Sequence, residues 1–248
     1  MFDIIIVVGP KDLNILDKQI SYTKRNILGY RNIYILSYYP FIKVENCIII
    51  PEQIFPFKIK DIEEIQGKNE RNGWYLQQLL KIYVSLVIPK ILDRYLIIDC
   101  DTFFIKPINF IDEQTDKELF NIGEEYHEPY FNHMKKLHPS LIKVLHNVSG
   151  ICHHMLFNRK YILELIKMVE NYHQNKKPFW RIFLEEVENR YRINNGSGAS
   201  EYEIYFNYML IYHIDKIKIR KLQWKNTNKL EDLYNNKYDY ISYHWYLR

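Results

Sequence analysis

Cysteine is scarce here: Cys47, Cys100 and Cys152 are the only three in 248 residues. They are odd in number, far apart and set among apolar neighbours. That usage fits a reduced compartment and excludes a disulfide framework. No Cys-x-x-Cys pair exists, so a structural zinc site is not expected. A glycine-rich phosphate loop is also missing. Val8-Gly9-Pro10-Lys11 follows the first apolar run with one glycine and a helix-breaking proline, which argues against a sugar-phosphate nucleotidyltransferase. The net charge of +4 is mild, and the one basic stretch, Lys216 to Lys225, alternates with Ile and Leu like a half-buried strand. Nucleic acid is therefore not an expected partner. Long apolar runs are lacking too. The stretch ending at Val8 is far too short to cross a bilayer and has no basic segment ahead of it. No integral membrane segment is expected, and a cytoplasmic location is, with at most peripheral contact with a membrane surface.

What is present is ample core material. Hydrophobic residues make up 47% and charged residues 26%, enough to bury an interior and too ordinary for disorder. Tyrosine is abundant at 22. Aromatic rings stack on sugar faces, but AT-rich coding would produce the same bias. Asn147-Val148-Ser149 and Asn195-Gly196-Ser197 match a glycosylation sequon that has no use in a cytoplasm.

The periodicity reads as α/β. Ile4 to Val8 is a continuous β-branched run, as in a strand buried on both faces of a parallel sheet. Lys11 to Leu28 carries helical spacing and ends at Gly29. Ile33 to Ser37 and Cys47 to Ile50 read as strands, and residues 51 to 72 as a surface loop. Trp74 to Ile88 is a helix stopped by Pro89. Tyr95 to Ile98 is a further buried strand, and Phe103 to Ile105 a short strand leaving the sheet. A weak strand at Phe120 to Ile122 precedes an irregular stretch to His146. Ile151 to Phe157 is a strand, followed by helices near Lys160–Tyr172 and Phe179–Tyr191. The loop 194–198 is flexible. A helix opens at Ser200 and runs to about Tyr212, and strands lie near Lys216–Leu222 and Tyr240–Trp245. No repeat or linker interrupts the chain, so one domain over 1–248 is expected, a mixed and mostly parallel sheet flanked by helices.

The most informative feature is Asp99-Cys100-Asp101 directly after the strand Tyr95 to Ile98. Ligands of open α/β sheets gather at the carboxyl ends of strands. Two carboxylates turned toward one point repel unless a cation lies between them or one keeps its proton. A hard divalent ion there also has positions left for phosphate oxygens, and it stabilises charge on a departing nucleoside diphosphate.

Ile97-Ile98-Asp99-Cys100-Asp101-Thr102-Phe103-Phe104 resembles the Asp-x-Asp segment of GT-A glycosyltransferases. Gly73-Trp74-Tyr75-Leu76-Gln77-Gln78-Leu79-Leu80-Lys81, Gly150 to Asn158 and Ser200-Glu201-Tyr202-Glu203 resemble successive segments of one poorly characterised branch of that family, in the same order. The resemblance implies a Rossmann-like GT-A fold, a nucleotide-sugar donor (UDP-sugar ahead of GDP-sugar) and Mn²⁺ or Mg²⁺. It also implies a glycan, lipid-linked or protein-linked acceptor. Asp101 is the first metal ligand it suggests, then Asp99, with His244 as a third; an imidazole tilts the choice toward Mn²⁺.

An inverting reaction, slightly favoured, needs a carboxylate base for the acceptor hydroxyl. Glu201 and Glu203 are the candidates. Ser200-x-x-Glu203 also reads as a capping box, which leaves Glu201 the freer of the two. Gln77 and Lys81 share a helix face with Trp74 nearby, and Lys81 suits a diphosphate. Gln78 lies about 100° round that helix. Val8, Gly9, Lys11, Asp12 and Cys100 are placed along the nucleotide pocket, and His153 and His154 join it if Ile151 to Phe157 is a central strand. A nucleotidyltransferase, or an inactive module of the same fold that only binds nucleotide or glycan, are the rival readings.

Overall fold

A computed structural model describes residues 1–174, 176–244 and 247. The chain runs β1 (Phe2–Val8), α1 (Leu16–Asn26), β2 (Tyr30–Ser37), β3 (Ile48–Pro51), α2 (Ile59–Gln66), α3 (Asn72–Val87), β4 (Arg94–Asp99), β5 (Thr102–Phe104) and β6 (Glu118–Asn121). It continues with α4 (Glu128–Leu137), β7 (His154–Asn158), α5 (Arg159–His173), α6 (Phe179–Glu185), α7 (Asn189–Ile193), α8 (Glu201–Tyr212), β8 (Ile217–Arg220), β9 (Trp224–Thr227) and β10 (Tyr240–Tyr243).

The central sheet has the order β3-β2-β1-β4-β7. Its first four strands are parallel, and β7 pairs antiparallel with β4. The expected mixed, mostly parallel sheet flanked by helices is what forms. All seven residues of β1 are buried, because helices cover both faces and the strand has no solvated side. One core lies between the sheet and α3, α5 and α8, with Leu79, Val84, Ile97, Phe157 and Tyr205 at its centre. A second lies on the α1 side, around Ile4, Ile20, Leu96 and Phe104.

β5 leaves the central sheet to join β10 and β9 in a separate three-stranded sheet, and β6 pairs with β8 in a third. That brings the last described strand alongside the segment that follows β4.

Five expectations need correction. The surface loop at 51–72 contains α2, and Phe55, Phe57 and Ile62 within it are buried. The irregular stretch before His146 contains α4, whose Tyr130, Phe131, Met134 and Leu137 pack into the core at helical spacing. The first helix starts at Leu16, since Pro10–Asp12 forms only a 3₁₀ turn. The loop 194–198 is tied down: the Tyr75 hydroxyl donates to the Gly196 carbonyl at 3.1 Å and accepts from the Gly198 amide at 3.0 Å. The strand expected to reach Trp245 ends at Tyr243, and Trp245 itself lies outside the described residues.

Candidate active site

β1 and β4 are neighbours, with Val7 opposite Asp99. β2 and β3 lie beyond β1 on one side, and β4 and β7 on the other. Chain connections therefore diverge between β1 and β4, and a crevice at the carboxyl ends of such strands is where open α/β sheets take ligands. Asp99 is the last residue of β4 at this point.

Asp99 does not stand as a bare acid. Lys81 Nζ from α3 donates to its Oδ1 at 2.6 Å, and the Tyr202 hydroxyl from α8 donates to the same oxygen at 2.9 Å. Lys81 also donates to Glu201 Oε1 at 2.7 Å, and its ammonium lies 4.5 Å from the centre of the Tyr202 ring. The Lys81 and Glu201 side chains are both only 4% exposed, whereas the Asp99 side chain is 20% exposed. The node thus reaches solvent through Asp99.

Burial alone would strip Lys81 of its proton, but Asp99 and Glu201 outweigh that and raise its pKa. Burial likewise disfavours charge on Asp99, yet Lys81 and then His153 hold its carboxyl well below the usual range. Glu201 goes the other way. Burial, helped by repulsion from Asp99, raises its pKa against the pull of Lys81. One cation shared by two buried acids favours the charge of the nearer, wetter one.

Asp101 sits just past the strand end. Its Oδ1 accepts from the Ser242 hydroxyl at 3.2 Å, and its carbonyl accepts from the Tyr243 amide at 2.7 Å. The pairing of β5 with β10 enforces this approach, with Thr102 opposite Ser242, and it carries the half-buried His244 to the same edge. His153 arrives from β7. Its carbonyl accepts from the Asp99 amide at 2.9 Å, and its Nδ1 is 3.6 Å from Asp99 Oδ2, an ion-pair distance that exceeds a hydrogen bond. Burial depresses its pKa, but Asp99 and Asp101 together raise it. The His153 and His244 ring centres are 5.3 Å apart.

Val8 and Gly9 continue from β1 beside this edge, and Cys100 Sγ lies 4.0 Å from the Asp12 carbonyl. Val8 and Cys100 are buried, Gly9 and Asp12 half-buried, and Lys11 is exposed. The structure therefore brings Val8 to Asp12, Cys100, Asp99, Asp101, Lys81, His153 and His244 to one end of the sheet.

Other candidates lie elsewhere or face other partners. His154 turns to the opposite face, where its ring meets Phe104, Phe110 and Tyr240 edge-on, and burial pushes its pKa down to about 3. It is a core residue. Trp74 is two helical turns before Lys81 and stacks on Tyr130 with ring centres 6.3 Å apart. Gln77 is half-buried, while Gln78, placed on a different face by its spacing, is buried and accepts from the Glu201 amide at 2.9 Å. Glu203 is fully buried. It accepts from the Ser149 hydroxyl, from the Gly150 amide at 3.2 Å and from Asn207 Nδ2 at 2.9 Å. Only half of the expected capping box forms, with Ser200 Oγ accepting from the Glu203 amide, because the carboxylate has stronger partners in loop 149–150. Neither Glu201 nor Glu203 presents its carboxylate to an open surface. Gln78 and Tyr202 are the members of the node that reading the sequence missed.

A family model described as a family of unknown function (DUF6492) matches residues 34–238. The chain belongs to that family. No curated protein matches the sequence. Among solved structures, mouse xyloside xylosyltransferase 1 in its apo form aligns with a TM-score of 0.48 at 11% identity, over 100% of this chain and 99% of that one. Neither match assigns a role to any residue of this DUF6492 member.

The resemblance implies a divalent cation, and the donor set can be checked against it. Among the described residues, no three His, Cys, Asp or Glu side chains are already grouped to hold an ion. Asp101 and the imidazoles of His153 and His244 nevertheless offer the mixed oxygen and nitrogen donors that suit Mn²⁺, and among the described residues the buried His153 Nε2 has no hydrogen-bond partner. These residues fit an ion that draws its remaining ligands from a bound diphosphate. They do not fit a closed protein cage. Among the described residues, no helix is long and apolar enough to cross a membrane.

Proposed function

We propose that this protein is a metal-dependent glycosyltransferase of GT-A type that uses a nucleotide-sugar donor. The observation carrying the reading is the position of Asp99 and Asp101 at the carboxyl end of β4, where the central sheet's connections diverge beside β1. The resemblance of the same segment to the Asp-x-Asp motif supports it independently of that placement.

In this reading Asp101 and His244 hold a Mn²⁺ or Mg²⁺ ion, which supplies Lewis-acid stabilisation of a leaving nucleoside diphosphate when bound. The chain's own residues divide the remaining work. The edge from Val8 to Asp12 lies where it can take the nucleoside. Lys81 fixes Asp99 and leaves a buried positive charge behind the carboxylates, which limits their repulsion before any ligand arrives. Gln78 and Tyr75 fix the start of α8, so that Glu201 and Tyr202 stay on Lys81. Glu201 is committed to Lys81 and Glu203 to loop 149–150, so neither is placed to take the proton of the acceptor hydroxyl. The acceptor is a hydroxyl-bearing glycan or glycoconjugate.

The test is a thermal-shift screen of UDP, GDP and CMP with and without Mn²⁺, followed by release of nucleoside diphosphate from the matching nucleotide sugars. Asp101→Asn should keep its melting profile and lose turnover by ~10³-fold, as expected when Lewis-acid help to a leaving group is withdrawn. Turnover by Asp101→Asn near the wild-type rate would remove Asp101 from the site and with it the reading.

A further inference from the structure

His153 holds a backbone conformation that few side chains adopt. Its φ is +61°, in the left-handed region that a β carbon disfavours. Strain of this kind persists where the surroundings enforce it, and it is a reason to look for a task. The bend occurs one residue before β7, just beyond the Ile98–His154 register pair. The His153 carbonyl still extends the pairing with β4, while its ring lies on the Asp99 side and the ring of His154 lies in the aromatic face.

The ring is then held from behind. Asp99 Oδ1 is taken by Lys81 and Tyr202, which leaves Oδ2 toward His153 Nδ1 at 3.6 Å. The Trp224 ring stands nearly perpendicular with its centre at 5.1 Å, and that of His244 at 5.3 Å. The side chain is 8% exposed, yet among the described residues the buried Nε2 has no hydrogen-bond partner, an uncommon and costly state for an imidazole nitrogen. A carboxylate behind one nitrogen and an unpartnered second nitrogen is how proteins orient metal-binding histidines.

We propose that His153 Nε2 is a nitrogen ligand of the divalent cation at Asp101, and that Asp99 acts behind it as a positioning residue instead of binding the ion. This rests on reading the sheet edge as a metal–diphosphate site. It deepens that reading in one respect: a second imidazole joins Asp101 and His244 at the ion, and Asp99 links that imidazole to the Lys81 node. An added imidazole also makes the site selective for Mn²⁺ over Mg²⁺.

The experiment is a Mn²⁺ titration of the full chain, alone and with UDP, followed by the electron paramagnetic resonance of free and bound ion. His153→Asn and His153→Gly both tolerate the left-handed backbone, so the bend survives while the ligand is lost, and melting curves check the fold. Both should weaken Mn²⁺ binding by at least ~10-fold, and Asp99→Asn by about 10-fold through loss of orientation. Mg²⁺ affinity, read by competition, should fall by under ~3-fold. Nitrogen modulation of the bound Mn²⁺ signal should diminish in the His153 variants. Unchanged Mn²⁺ affinity and nitrogen modulation in both, alongside loss of binding in Asp101→Asn, would overturn the ligand assignment and leave the functional reading standing. A weaker response to UDP with Mn²⁺ binding intact would also overturn it, making His153 a nucleotide contact. Wild-type protein that binds no Mn²⁺ with or without UDP would sink both.

Discussion

His153 and His154 are adjacent in sequence and belong to opposite faces of one sheet. On the α3 and α8 face, His153 meets Asp99 and a buried node of ion pairs, and its pKa is raised. On the α1 face, His154 meets three aromatic rings and its pKa falls to about 3. The same side chain is pushed in opposite directions because one neighbourhood supplies negative charge, whereas the other removes water and adds the positive charge of Arg220. One face is organised by electrostatics and the other by packing, and β4 with the entry to β7 is the partition between them.

The severest way to break the charged face is Lys81→Met. The variant keeps length and removes the cation, leaving Asp99 and Glu201 facing each other in a nearly dry interior. We expect a loss of ~3–5 kcal/mol, the range for breaking a buried pair from one side. Adding Glu201→Gln should restore a substantial part of it, because the remaining acid, Asp99, is the one with access to solvent. Urea melts of the two variants and the wild type provide the check. A single variant within about 1 kcal/mol of wild type would mean that the node stores little stability.

His154→Leu probes the packed face. A histidine whose folded pKa is depressed to about 3 from an ordinary 6.5 is protonated in the unfolded chain before it is protonated in the folded one. The unfolded state therefore binds more protons between those values, and stability falls as pH drops from 6.5 toward 3. The full effect is on the order of 5 kcal/mol at ~1.4 kcal/mol per pH unit. Glu118 works with the opposite sign. Burial raises its pKa to about 7 from 4.5, so its share is lost as pH rises through that interval. Only the difference between wild type and His154→Leu isolates the histidine. That difference should be flat above pH 6.5 and widen below it, with the variant the more stable in acid relative to neutral pH. A constant difference from pH 7 to pH 4 would show that His154 is not buried as a neutral group.

The charged face was partly legible before any coordinates. A β-branched run ending in Asp99-Cys100-Asp101 placed the acids at a strand end, and β4 puts Asp99 there. Lys81 was legible as a cation suited to a diphosphate, but its protein partners were not. Two of them, Glu201 and Tyr202, come from α8, 120 and 121 residues later, and no local pattern encodes such a distance. Glu201 shows the cost of that blindness: from sequence it was an acid left over from a cap, and in the fold it is half of an ion pair. The missed α4 is a different kind of failure. Tyr130, Phe131, Met134 and Leu137 carry the helical period, but Pro129 and the polar residues around them mask it over so short a stretch. The left-handed bend at His153 left no trace in the sequence, since it is imposed by Asp99 and the neighbouring strands.

The mildest comparison lies within α3 itself, between Gln77 and Gln78. Reading the helix as one polar side and one apolar side put Gln77 with Lys81 and set Gln78 apart. That logic requires a solvated face, and α3 lacks one over most of its length: Asn72, Tyr75, Leu76 and every residue from Gln78 to Ser85 are buried. In such a helix polarity marks an internal partner. Gln78 Oε1 accepts from the first amide of α8 at 2.9 Å, an amide with no partner within its own helix. Gln78→Ala should therefore cost ~1–2 kcal/mol, as for a lost cap, and should loosen Glu201 against Lys81. Gln77→Ala should fall within ~0.5 kcal/mol of wild type. Amide exchange at Glu201 gives the sharper reading, since only the Gln78 variant removes the acceptor that protects that proton. If both variants exchange there as the wild type does, the start of α8 is held by Tyr75 and loop 196–198 alone.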